Sequence, residues 1–272
     1  IWQVHGPWRF PPHDETEELR AERAEVMKRS IRITGMLGCR FWVIHPLMPY
    51  GPDSDFDTER FWSINYDFFR ALLPTAKENN VTICFENMPM KRLSMSTPEK
   101  TLEFVHAIND EHFKFCLDTG HCAVFGIQPG DAVRMAKDDL KVMHVHDNRG
   151  KQDEHLVPYT GVIDWADYCM ALDEIGYDGV FSLENHLNDF LPNAPIDVKF
   201  ACLETIVKKL TEQPQCRILA NRKRPFIGTA EYSRRILAAK FHRPAEGDPA
   251  FVGRRQHVRV HILNGGAAVR DL

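Results

Sequence analysis

Histidine and carboxylate side chains stand at the ends of six short apolar runs in this chain. The run at 81–85 ends in Glu86-Asn87, and the run at 179–183 ends in the same dipeptide, Glu184-Asn185. The other four runs end in His5, His45, Asp118 and His144. Ionised carboxylates that converge without partners repel each other and are costly to desolvate. The pattern therefore predicts that a divalent cation lies among these side chains.

The donor types limit the choice of metal. Carboxylate oxygens and imidazole nitrogens together suit Mn, Mg, Co and Zn, and the sequence does not choose among these four. Further candidate donors follow two of the runs: His121, His146, Asp147, Asp153 and His155.

The six apolar runs read as β-strands that alternate with helices. Strands are predicted at 1–5, 41–45, 81–86, 113–118, 140–146 and 179–184, and helices at about 15–37, 58–79, 98–110, 129–138, 165–175 and 196–210. Repeating units of roughly 25 to 40 residues are typical of βα repeats and a parallel sheet. We predict that the first helix buries one apolar face, made of Leu19, Val26, Ile33, Met36 and Leu37.

The chemistry of the strand ends favours an α/β fold of the (β/α)8 TIM-barrel type. Such barrels place functional residues at the carboxyl ends of many strands. No Gly-x-Gly-x-x-Gly loop follows a strand, which argues against a dinucleotide-binding sheet. Six strands leave two of a complete barrel missing. Because the chain opens at Ile1 rather than Met, we expect these two strands to precede it in an N-terminally truncated domain.

Charge divides the 272 residues into two parts. Residues 1–210, the predicted barrel domain, hold 22 Lys and Arg against 33 Asp and Glu, for a net charge of −11. Residues 211–272 form a basic tail with 12 against 5, and their pattern assigns them no role. An acidic domain matches a nucleic-acid backbone poorly. We therefore expect a small-molecule partner rather than nucleic acid, and the pattern leaves homo-oligomer formation open.

Cysteine content and hydropathy predict the cellular compartment of the chain. The seven cysteines form no Cys-x-x-Cys pair, which favours free thiols in a reducing cytoplasm. No run of about 18 apolar residues is long enough to span a membrane, and no signal peptide is recognisable. The predicted localisation is cytoplasmic.

Several side chains near the strand ends are given structural or binding roles. His144 and His146 are predicted to lie on opposite faces of one strand, with His144 facing the barrel and His146 packed beneath a helix. Asp147 and Asn148 are predicted to anchor loops. Trp8 and Tyr50, in loops that follow strands, are candidates for stacking on a bound ligand.

The motifs VIHP, FENMP, LDTGH, HVHDN…DEH and SLEN resemble, in order and spacing, those of the xylose-isomerase-like TIM barrels. That family holds sugar and sugar-phosphate isomerases and epimerases as well as the endonuclease IV enzymes, and the resemblance covers about residues 1–210. In the sugar-epimerase branch the resemblance implies one metal ion, with His121 and Arg149 holding substrate oxygens. The implied metal ligands are Glu86, Asp118, His144 and Glu184.

The endonuclease IV branch offers an alternative with up to three zinc ions. All nine positions that it implies hold a residue able to bind zinc: His5, His45, Glu86, Asp118, His121, His144, Asp153, His155 and Glu184. Against this alternative stands the acidity of residues 1–210. The loops after His5 and His45 also lack a cluster of Arg, Lys and aromatic residues suited to a distorted duplex.

The predicted function is metal-dependent sugar or sugar-phosphate isomerisation or epimerisation. A C–H next to a carbonyl is too weakly acidic for a lone carboxylate, and a cation would stabilise the enediolate that forms. Glu86 and Glu184 are the predicted catalytic pair: one removes the proton and the other returns it. A second alternative is an inactive barrel fragment or binding protein. The sequence leaves open which sugar is used and whether it is phosphorylated.

Overall fold

The computed structural model of the chain describes residues 1–8, 12–52, 55–186 and 189–211. The basic tail, with its helix-like run at 231–241 and strand-like run at 257–263, lies outside the described residues apart from position 211.

Five parallel strands form one sheet, in which each strand pairs with the next along the chain. The strands are β1 Gln3–His5, β2 Phe41–Ile44, β3 Thr82–Glu86, β4 Phe113–Asp118 and β5 Leu140–His144. The order β1-β2-β3-β4-β5, with helical crossovers, is that of a half-barrel. The predicted incomplete (β/α)8 architecture is confirmed.

The predicted sixth strand is reduced to a single parallel bridge between Val145 and Leu183. The amide of Val145 donates to Ser182 O at 2.8 Å, and the amide of Glu184 donates to Val145 O at 3.1 Å. This run is only half-buried at most of its positions and has one described neighbour, so its ladder stays short. The bridge still places Glu184 beside the end of β5.

Seven helices lie in the described part of the chain, and six of them were predicted. They are α1 Glu17–Met36, α2 Thr58–Glu78, α3 Pro98–Ile108, α4 Thr119–Val124, α5 Pro129–Ala136, α6 Trp165–Glu174 and α7 Ile196–Thr211. Sequence reasoning missed α4, which has only six residues and contains Gly120. Its signal was Asp118, whose side chain caps the helix by accepting from the amide of His121 at 2.7 Å. None of the described helices has both the length and the apolarity needed to cross a membrane.

The predicted buried face of α1 was wrong. Helix α1 buries Arg23, Met27, Ile31 and Thr34. Four residues of the predicted face are exposed, namely Val26, Ile33, Met36 and Leu37. On hydropathy alone an arginine is expected to face solvent. Arg23 is buried because it pairs with an acidic residue outside the helix, and the periodicity of the helix does not reveal that partner.

That partner is Asp14, in the segment between β1 and α1. Arg23 Nη1 donates to the two Asp14 carboxylate oxygens at 2.7 and 2.8 Å. Asp14 Oδ2 also accepts from the amide of Met48, just beyond β2, at 3.0 Å. Both side chains are buried, so this pair joins the segment that follows His5 to the segment that follows His45.

Arg23→Met should destabilise the fold by about 3–5 kcal/mol, because it leaves the Asp14 carboxylate buried without its cation. Urea unfolding followed by circular dichroism measures the effect. The double variant with Asp14→Leu should recover part of the loss, since no buried charge then remains unpaired. An unchanged unfolding midpoint in Arg23→Met would contradict this account of α1.

The two faces of the sheet differ in what they pack against. On the helix side, Phe69, Phe85, Phe104 and Phe113 form a buried aromatic cluster between the strands and helices α2 and α3. On the other face, one residue from each of four strands packs into a small apolar layer made of Val43, Cys84, Cys116 and Val142. The six cysteines in the described residues are free, and five of them are buried.

Candidate metal and active site

The apolar layer determines which side chains form the site. Side chains two residues apart in a strand point to the same face of a sheet. Each residue of the apolar layer is followed, two positions later in the chain, by a residue of the site: His45, Glu86, Asp118 and His144. Because all the strands are parallel, these four side chains meet at the carboxyl edge of one face.

Glu86, His144 and Glu184 form the centre of the site. His144 Nδ1 lies 2.7 Å from Glu86 Oε1 and 3.0 Å from Glu184 Oε2. Burial alone would lower the pKa of His144, but the charges of Glu86 and Glu184 outweigh burial and raise this pKa well above its usual range. Burial likewise opposes ionisation of both glutamates, yet His144 beside them holds the pKa of each below its usual range. The two carboxylates are therefore ionised at neutral pH.

The four ligands implied by the sugar-epimerase resemblance come together in the structure. One donor atom from each residue lies within 4.8 Å of the others in the set Glu86, Asp118, His144 and Glu184. Three carboxylates and one imidazole in a buried pocket are a donor set that fits a divalent cation.

His5 and His45 extend the site toward β1 and β2. Their Nε2 atoms lie 3.2 Å apart. His45 Nε2 is 3.1 Å and His5 Nε2 is 3.6 Å from Glu86 Oε2. This buried oxygen receives no well-formed hydrogen bond from the described residues. Two imidazoles around a buried carboxylate oxygen would also suit a cation, with Glu86 shared between the two positions.

A second cluster lies on the other side of Asp118. His121 Nε2 is 3.3 Å from Asp153 Oδ2, and His155 Nε2 is 3.2 Å from the same oxygen. Burial would lower the pKa of His121 and His155. The charge of Asp118 and the carboxylate of Asp153 instead raise that of His121 to about 10, and hydrogen bonding to Asp153 raises that of His155 to about 9.

His146 belongs to this second cluster, contrary to the prediction that it and His144 lie on opposite faces. Residues two apart in a strand share a face, so the prediction misapplied the alternation. His146 Nε2 lies 3.0 Å from each Asp118 carboxylate oxygen. The ring does pack beneath a helix, as predicted: a Cβ added at Gly120 of α4 would lie 1.9 Å from His146 Cε1.

Arg149 is not brought into either cluster. Its side chain is 68% exposed, and its guanidinium pairs with the carboxylate of Glu154. The backbone amide of Arg149 donates to the same carboxylate at 2.8 Å. The structure pairs Arg149 with Glu154 at the surface, and its assignment as a substrate-holding residue stays a prediction.

The predicted loop anchors are confirmed. Asp147 Oδ2 accepts from Trp165 Nε1 at 3.0 Å and from the amide of Gly161 at 2.9 Å. Asn148 Nδ2 donates to Gly120 O at 2.7 Å, which fastens the loop after β5 to α4.

The two aromatic candidates differ in position. Trp8 meets the ring of His45 edge-on at 5.5 Å and is 44% exposed, so it lies at the rim of the site. Tyr50 packs against Phe56 at 4.4 Å. Trp8 is therefore the better placed of the two to contact a ligand.

The parallel βα repeat and the converging strand ends define a protein of the TIM-barrel class. The profile of the xylose isomerase-like TIM barrel family matches residues 1–204, and the chain belongs to this family.

Sequence relatives include both uncharacterized proteins and epimerases. Protein MJ1311 of Methanocaldococcus jannaschii is 30% identical over 217 residues, which cover 77% of this chain and 72% of the relative. The D-psicose 3-epimerase of Enterocloster bolteae is 34% identical over 116 residues, which cover 42% of this chain and 37% of the epimerase. The L-ribulose-5-phosphate 3-epimerase UlaE of Escherichia coli is 23% identical over 176 residues, which cover 65% of this chain and 60% of the epimerase. The chain thus spans less than two thirds of the length of either epimerase.

Solved structures share the fold. A D-tagatose 3-epimerase-like protein superposes with a TM-score of 0.66 at 28% identity, covering 77% of this chain and 76% of the other. The IolI protein, solved with a bound zinc atom, superposes with a TM-score of 0.63 at 20% identity, covering 78% of this chain and 75% of the other. At 20% identity, the likeness to the IolI protein is one of fold alone.

Proposed function

We propose that this chain is a divalent-metal-dependent isomerase or epimerase that acts on a sugar or sugar phosphate. The observation that carries the proposal is the convergence of Glu86, Asp118, His144 and Glu184 at the carboxyl edge of the half-barrel. The epimerase names of two sequence relatives support the substrate class.

The proposed chemistry is proton transfer at a carbon next to a carbonyl. A divalent cation held by the four residues would supply stabilisation of negative charge on substrate oxygens. Glu86 extends from β3 and Glu184 from beyond β5, so the two carboxylates reach the site from separate strands. One glutamate would remove the proton and the other would return a proton to the same or the adjacent carbon. Epimerisation follows in the first case and aldose–ketose isomerisation in the second.

The surrounding residues would bind and orient the sugar. His121 Nδ1 donates to Asn87 O at 2.7 Å, which points Nε2 toward Asp153 at 3.3 Å, and a substrate hydroxyl would exchange with that carboxylate as the partner of Nε2. Trp8 at the rim offers an apolar ring face for the carbon side of a sugar. Arg149 stays a candidate for holding a substrate oxygen, for which it would exchange its exposed ion pair with Glu154.

A metal count tests the proposal. Elemental analysis of the purified chain is expected to find about one divalent ion per molecule, since Glu86, Asp118, His144 and Glu184 form a single site. Removal of the metal with a chelator should abolish conversion of ketoses, and adding back Mn, Co or Zn should restore it. Full activity in a chain shown to be metal-free would overturn the proposal.

A zinc-dependent endonuclease is the second candidate function. The observation that favours it is the presence of ligand-competent groups on both flanks of the centre, at His5 and His45 on one side and around Asp153 on the other. The net charge of −11 on residues 1–210 opposes it. Three zinc ions per chain, together with cleavage of duplex DNA at an abasic site, would favour the endonuclease over the isomerase.

The third candidate, an inactive barrel fragment or binding protein, predicts a different result. Such a chain would bind no metal and would melt broadly rather than in one cooperative transition. Calorimetry with and without added metal separates it from the two enzymatic candidates.

A further inference from the structure

The Asn87 side chain continues the hydrogen bonding between β3 and β4 beyond the end of their backbone pairing. Backbone pairing of these strands ends at Glu86 and Cys116, two residues short of Asp118. Beyond that point the Asn87 side chain bonds both main-chain groups of Asp118. Its Nδ2 donates to Asp118 O at 3.1 Å, and its Oδ1 accepts from the Asp118 amide at 2.8 Å.

The backbone of Asn87 also orients His121. Asn87 O accepts from His121 Nδ1 at 2.7 Å, which directs His121 Nε2 toward Asp153. Asn87 is fully buried, so these bonds form away from competing water. One residue therefore fixes both the carboxylate at the end of β4 and the imidazole three residues later.

Asn185, in the second Glu-Asn dipeptide, makes a related connection through its Nδ2 alone, since its buried Oδ1 has no hydrogen-bond partner among the described residues. Its Nδ2 donates to Leu156 O at 2.7 Å and lies 3.4 Å from His155 O. The neighbouring backbone groups add two bonds to His155: Glu184 O accepts from His155 Nδ1 at 2.7 Å, and the amide of His186 donates to His155 O at 3.2 Å. His155 has a positive φ of 49°, a conformation that an L-residue holds only when its surroundings enforce it.

We propose that Asn87 and Asn185 are positioning residues: each connects its glutamate-bearing strand end to the neighbouring segment that carries further histidine and carboxylate groups. Asn87 holds the segment with Asp118 and His121, and Asn185 holds the segment with Asp153 and His155. In both Glu-Asn dipeptides, the Glu then supplies a donor atom for the metal, and the Asn positions the donor groups of the neighbouring segment. This inference rests on the proposed metal site.

The effect of losing such a connection follows from ligand geometry. A ligand held by its outer partners needs no rearrangement when the ion binds, whereas a loosened ligand must be ordered at that moment. Loss of an outer partner of this kind typically lowers metal affinity by about 10–100-fold.

Titration of the metal-free chain with Co²⁺ alone tests the proposal, because visible absorption of bound Co²⁺ reports both affinity and coordination geometry. Asn87→Ala and Asn185→Ala are compared with Tyr177→Phe as a control. The Tyr177 hydroxyl donates to Lys141 O at 3.3 Å, so the control also removes a buried hydrogen bond, but at the opposite end of β5 from His144. Thermal melting of each variant is recorded alongside.

Both Asn variants are expected to bind Co²⁺ about 10–100-fold more weakly and with an altered absorption band, whereas Tyr177→Phe keeps the affinity and band of the unsubstituted chain. If the Asn variants melt at a lower temperature but keep affinity and band, Asn87 and Asn185 stabilise the fold only and the inference is overturned. If Asn87→Ala does not fold, the less buried Asn185→Ala decides alone. If the unsubstituted chain binds no Co²⁺, the proposed function fails first, and the inference fails with it.

Discussion

Glu184→Gln is expected to abolish exchange of the substrate C–H proton with solvent while leaving the chain folded. Glutamine keeps the shape of the side chain and an oxygen that can still contact a cation, but it cannot accept a proton. Burial opposes ionisation of Glu184, yet His144 holds its pKa below the usual range, so the native residue is an ionised carboxylate at neutral pH. Loss of one general acid–base group lowers rates by roughly 10²–10⁴-fold.

Deuterium incorporation from D₂O into a panel of ketohexoses and ketopentose phosphates measures this effect by mass spectrometry. Glu154→Gln is the matched control: it makes the same chemical change on a carboxylate that pairs with Arg149 outside the two clusters. Metal content measured on the same samples separates loss of the proton carrier from loss of a ligand. Deuterium incorporation at the native rate in Glu184→Gln would remove Glu184 from the reaction.

Metal affinity is expected to rise with pH by about tenfold per unit for each proton that the ion displaces. In the metal-free chain, neighbouring carboxylates raise the pKa of His144 well above its usual range, with burial acting in the opposite direction. A protonated imidazole has no lone pair for a metal, so the ion must displace that proton. Calorimetric titration in buffers of different ionisation enthalpy counts the protons released, and an affinity that does not change between neutral and alkaline pH would contradict the prediction.

The raised pKa values of two other histidines predict how the stability of the metal-free chain depends on pH. The folded chain raises the pKa of His155 from 6.5 to about 9 and that of His121 from 6.5 to about 10. Their contribution to stability is therefore complete below about pH 6.5 and is lost as pH rises through these folded-state values. The metal-free chain should therefore melt at a lower temperature at high pH, and thermal melting at a series of pH values measures the effect.

Much of the fold and the central site follows from short-range rules that the sequence carries. Apolar runs alternate with helical periodicity, which predicts the βα repeat, and the first helix ends at Met36, two residues before Gly38, where φ is +69°. The residue at the end of each run is then a strand-end residue. Since parallel strands present their carboxyl ends at one edge, the meeting of Glu86, Asp118 and His144 follows from the same pattern.

Other features depend on partners outside the helix or strand that carries them. Arg23 of α1 pairs with the buried Asp14, which lies before the helix and also accepts from the Met48 amide beyond β2, so the hydropathy of α1 alone does not identify the buried face.

The Glu-Asn dipeptides show most clearly which features follow from the sequence and which depend on the tertiary structure. The sequence by itself determined that Glu86 ends a strand and that Glu184 follows a second apolar run, because the apolar runs and the period of two fix where each side chain points. Only the tertiary structure decided what the asparagines do, since their partners at Asp118 and Leu156 come from other segments. Burial makes those hydrogen bonds strong enough to hold the neighbouring ligands, and burial is a property of the folded chain alone.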